Sequence, residues 1–109
     1  MDIAVLANTS IKNASDTTTG NPVVGAKSVT ATAAAIFAGA SVLSNRKKMI
    51  LRNEDPAIRC RVGPSTVTQQ SGFPVEPGAT LEITFDPVTA ISIYAISEGA
   101  SIQMAVIEL

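Results

Sequence analysis

The chain has 109 residues, a net charge of −1, no His, no Trp and one Cys, and 46% of its residues are hydrophobic while only 4% are aromatic. A length of this order makes one domain with a modest aliphatic core, for which burial between subunits is an expected further source of stability. The common nucleophile–base pairs and zinc sites cannot be assembled without His and with a lone thiol, so a non-enzyme without cofactor or metal is expected.

Residues 1–27 are polar and rich in breakers, with Asn8-Thr9-Ser10, Asn13 to Pro22 and Gly25, and only short apolar islands at Ile3, Val5, Leu6 and at Pro22 to Val24. Such a segment cannot bury enough apolar surface to order itself. It is either a tail or an extended N-terminal arm that orders against a neighbour; the islands favour the arm, which at full extension spans about 90 Å. No basic region followed by an apolar run marks a secretory signal, and no stretch is apolar enough to span a membrane.

From residue 28 onward the pattern is period-2 alternation punctuated by turns. Val29, Ala31, Ala33 and Ala35 alternate with Ser and Thr and predict a strand over 28–35. Strands over 48–52 and 57–62, separated by Asn53-Glu54-Asp55-Pro56, predict a hairpin. A short edge strand is expected at 66–68, then turns at Gly72-Phe73-Pro74 and Glu76-Pro77-Gly78, a strand over 80–85, and a last hairpin of 91–96 with 101–109 around Glu98-Gly99. The expected fold is all-β: an antiparallel β-sandwich or jelly-roll-like barrel of about seven or eight short strands over 28–109, with the arm at 1–27. One strand face each assigns Ile58, Cys60, Val62, Leu81, Ile83, Phe85, Ile93, Ile102, Met104 and Val106 to the core. Cys60 then reads as a buried thiol in a protein made in a reducing cytoplasm.

The other faces of the last two strands are also apolar. Tyr94, Ile96, Ile107 and Leu109 are therefore candidates for a subunit interface, covered by the arm or by a neighbouring subunit. Charge is distributed unevenly. Arg46, Lys47, Lys48, Arg52, Arg59 and Arg61 cluster, whereas beyond residue 62 there are only acids: Glu76, Glu82, Asp86, Glu98 and Glu108. This is either a solvated strand face with scattered acids or complementary contact between subunits. Nucleic acid is not an expected partner, because the basic segment lacks aromatic interleaving. Glu82 and Asp86, the nearest same-strand acids, read as an exposed face rather than a glycosidase pair.

The runs Asn45-Arg46-Lys47-Lys48-Met49-Ile50-Leu51-Arg52-Asn53, Ile58 to Gly63, Gly72 to Gly78 and Ile93-Tyr94-Ala95-Ile96-Ser97 resemble a pattern of small β-sandwich virion proteins of tailed bacteriophages. The resemblance covers roughly residues 28–109. It implies a virion protein on the capsid exterior, most simply a decoration or cement protein whose partners are the major capsid protein and its own copies, with a trimer favoured. A head-fibre base or tail accessory that recognises a receptor or carbohydrate is the alternative. In that setting Ile3, Val5, Leu6, Arg46, Lys47, Lys48, Arg59 and Arg61 are the expected capsid-facing residues.

Overall fold

A computed structural model describes residues 22–109, which hold eight strands and no helix. The strands are β1 (Val23–Val29), β2 (Ala34–Ala35), β3 (Lys48–Asn53), β4 (Cys60–Gly63), β5 (Phe73–Val75), β6 (Thr80–Thr84), β7 (Tyr94–Ser97) and β8 (Ile102–Glu108). They form two four-stranded sheets, the first in the order β1-β8-β3-β6 and the second in the order β2-β7-β4-β5, with every pairing antiparallel. Met49, Leu51, Met104 and Val106 of the first sheet and Cys60, Val62, Val75 and Ala95 of the second belong to one buried cluster, so the inner faces share a core in a sandwich-like arrangement. No helix of the described residues is long and apolar enough to cross a membrane.

Alternation assigns the faces well. Cys60, Val62, Ile102, Met104 and Val106 are buried, and Ile58, Leu81, Ile83, Phe85 and Ile93 pack against them partly buried. Burial pushes the Cys60 thiol up to about 11 and keeps it protonated. Met49 and Leu51, facing Glu108 and Val106 across the ladder, complete the centre.

Several expectations about the strands and their connections fail. The strand expected over 28–35 is divided: β1 ends at Val29, and only Ala34 and Ala35 pair with β7 in the opposite sheet. The first sheet thereby takes up residues 23–27, which were expected in the arm. Neither expected hairpin forms, because β3 and β4, like β7 and β8, lie in different sheets. Only the step from β4 to β5 stays within a sheet. Residues 66–68 make a turn with a single bridge from Thr68 to Ser71, while Phe73–Val75, read as a turn, is an edge strand, a position that tolerates Pro74.

Asn53 explains the crossing from β3 to β4. Its fully buried side chain donates from Nδ2 to the carbonyls of Ile58 (2.9 Å) and Val75 (3.1 Å) and accepts from the Asp55 amide (2.9 Å), tying the end of β3 to the other sheet. Asp55 in turn accepts from the amides of Ala57 and Ile58, fixing the connector as an Asx-type turn.

Candidate interaction surfaces

Among the described residues, the ion pairs Arg46–Glu108, Lys48–Glu82, Arg59–Glu76, Arg59–Glu98 and Arg61–Glu98 organise the charged side chains, each joining the basic block to an acid from the later part of the chain. The deepest is Arg46–Glu108, 2.7 Å apart with side chains 5% and 0% exposed. Glu108 follows Ile102, Met104 and Val106 on the inner face of β8, so alternation itself carries the carboxylate inward. There it accepts from the amides of Ala38 (2.8 Å) and Leu43 (3.2 Å) as well as from Arg46 Nη1. Arg46 donates from Nη2 to the Ile91 carbonyl (2.6 Å) and lies 4.3 Å over the Phe85 ring.

Close packing of residues 36–43 against this end of the first sheet is possible because position 25 has no side chain. A Cβ on Gly25 would run into the Ala38 carbonyl. Lys27, on the same inner face, reaches the Gly39 carbonyl (2.6 Å) and sits 4.5 Å over Phe37.

On the outer face of the second sheet, Glu98 receives Arg59 Nε (2.7 Å) and Arg61 Nε (2.8 Å), and Arg59 also pairs with Glu76 at 3.3 Å. The two guanidinium groups hold the Glu98 carboxyl below its ordinary value, Arg59 contributing most, and Glu98 and Glu76 hold Arg59 above its own. Arg61 Nη1 donates to the Gly72 carbonyl. The turn at 64–71 lies over this side: Gln69 donates to the Ser97 carbonyl (2.9 Å), and buried Val67 occupies the space that a Cβ at Gly72 (φ +110°) would need.

The expected interface residues are therefore dispersed. Tyr94 and Ile96 lie on the outer side of the second sheet, where Ile96 is already buried within the single chain; Ile107 and Leu109 lie on the opposite side of the molecule, half-buried on the outer side of the first sheet. The complementary charge blocks meet inside one chain: Arg46 is buried with Glu108, Lys48 pairs with Glu82 (3.1 Å), and Arg59 and Arg61 are held by Glu98. The Lys47 amide donates to the Leu109 carbonyl. Ile3, Val5 and Leu6 lie outside the described residues.

What remains outward on the first sheet is an apolar row missed in part by reading β7 and β8 as one hairpin. Val24, 70% exposed, stands beside Ile107, which stands beside Ile50, with Ala26 and Ala105 in the next row. Among the described residues β1 is an edge strand, so both this row and its backbone edge face away from the core. Comparison with protein-family models, with curated proteins and with solved structures finds no match.

Proposed function

We propose that the chain is an eight-stranded jelly roll serving as a structural virion protein of a tailed phage. In this reading it is a decoration or cement protein, assembled from several copies with a trimer favoured, that binds the outside of the head and reinforces joints between major capsid proteins. The strand order carries the proposal. β1-β8-β3-β6 opposite β2-β7-β4-β5, with all but one connection passing between sheets, is the order expected when one long hairpin is rolled over a core. Jelly rolls recur in viral capsid proteins and also in lectins, so the fold alone does not define the function. The resemblance of residues 45–53, 58–63, 72–78 and 93–97 to small virion proteins favours the first.

The outer row Val24, Ile107 and Ile50 beside an open edge strand is the surface assigned to contacts between copies. Ile3, Val5 and Leu6 are assigned to the capsid. The paired arginines 59 and 61 contribute to attachment only at the cost of their bonds to Glu98.

Quantitative mass spectrometry of particles from the phage that encodes the chain tests this. A copy number comparable to that of the major capsid protein is expected; a few copies per particle would point to a fibre or tail role, and absence from the particle would end the proposal.

A further inference from the structure

The feature left unused is a cleft of about 310 Å³ between residues 42–46 and 85–91. Its walls carry Val42, Leu43, Phe85, Val88 and Ile91, with the Arg46 guanidinium among them. Val88 is 85% and Ile91 48% exposed, two of the four large apolar side chains left most open to water among the described residues. The size lies at the lower limit of small-ligand sites, which run from about 300 to 1,000 Å³. The charge does not suit an ionic ligand, however, because Arg46 is neutralised by Glu108 at 2.7 Å and spends a second nitrogen on the Ile91 carbonyl. What the cleft offers is aliphatic wall for two or three branched side chains. That is far less than the roughly 800 Å² per partner of a stable globular interface, so a folded second copy is a poor occupant.

A site this small holds an apolar segment weakly unless the segment is tethered, when the effective concentration rises to the millimolar range. The chain supplies such a tether. Val23 opens β1 directly opposite Glu108, and Glu108 holds the arginine that bonds to the cleft wall at Ile91, so β1 begins at the end of the fold where the cleft opens. The sequence before β1 contains one run of large aliphatic residues, Ile3-Ala4-Val5-Leu6. Residues 7–22 connect it to β1 and reach up to about 55 Å, far more than is needed.

We propose that the cleft between residues 42–46 and 85–91 is the docking site for Ile3, Val5 and Leu6 of the same chain. Aliphatic side chains fill the space between Val88, Ile91, Leu43 and Phe85. The docking does not depend on the virion setting. If both hold, capsid and cleft compete for one segment, and the free protein keeps its apolar N-terminal run out of solution until a head is met.

Paramagnetic broadening in the full chain tests this. Asp2→Cys takes a nitroxide selectively, since Cys60 is fully buried with its thiol pushed up to about 11. Beyond the residues next to the label in sequence, the expected result is loss of amide signal centred on residues 42–46 and 86–91. No loss is expected when spin-labelled chains without isotope are mixed with isotope-labelled unmodified chains, because the contact is within one chain. Val88→Asp, at a position exposed enough to leave the fold intact, should restore the signals. Uniform or absent broadening, equal broadening in the mixed sample, or broadening that survives Val88→Asp would each overturn the proposal, the second by making a neighbouring copy the source of the segment.

Discussion

Glu108→Ala removes a carboxylate that three donors share, and the cost follows from what it leaves behind. Arg46, 5% exposed, loses its counter-charge at 2.7 Å, and the amides of Ala38 and Leu43 lose their acceptor. Breaking a buried pair from one side costs about 3 to 5 kcal/mol, most of it the penalty of the uncompensated charge. A domain of this size holds about 5 to 15 kcal/mol in total, so about a fifth or more of the stability is at stake. The comparison is Glu82→Ala, which breaks an outer-face pair with Lys48 whose acid is 53% exposed and should cost about 0 to 1 kcal/mol. Urea unfolding at constant m value measures both. Adding Arg46→Met to Glu108→Leu should recover much of the loss, since it removes the stranded charge together with its partner. A Glu108→Ala cost no larger than that of Glu82→Ala would refute the reasoning, because it would mean that the end of β8 frays and the carboxylate is hydrated.

Three further outcomes are expected. Asn53→Ala should cost about 2 to 4 kcal/mol in the same assay, because it takes the side-chain partner from the Ile58 and Val75 carbonyls and from the Asp55 amide where the chain crosses between sheets. Gly25→Ala, a mild change on most strands, should cost at least about 1 to 3 kcal/mol here, because the Ala38 backbone must move. The Glu98 carboxyl, followed by carbon-detected NMR, should titrate below the 4.5 of a free Glu. Its folded value being the lower one, its contribution to stability is present above about pH 4.5 and fades as pH falls through the folded value.

Strand identity was legible in the sequence because burial on one face leaves a period of two in the residues, and Cys60 with Val62, or Ile102 with Met104 and Val106, carry that period without interruption. Strand pairing was not. Asn53 to Pro56 and Glu98-Gly99 have the chemistry of reversing turns, which says that the chain changes direction but not in which plane; the plane is set by Asn53 reaching Val75 and by the separate ladders of β7 and β8. Residues 23–29 were obscured by Gly25 and Lys27 on the inner face, where alternation expects large apolar side chains. Both are explained by residues 36–43, through the Ala38 contact and the Gly39 carbonyl. The charge clustering was visible, but its partners were not, although the period that buries Met104 and Val106 also points to Glu108.

The placement of β8 bears on how the molecule comes into being. The strand nearest the end of the sequence is central in its sheet, flanked by β1 on one side and β3 on the other. Until residues 102–108 are available, β1 has no neighbour among the described strands and β3 has only β6. The first sheet therefore cannot be built progressively from the N-terminus. Its closure joins segments far apart in sequence, the topology associated with folding times of milliseconds to seconds. A chain interrupted before Ile102 would be left with unpaired edges of the kind that recruit other strands, so for this protein incomplete synthesis and aggregation are closely linked hazards.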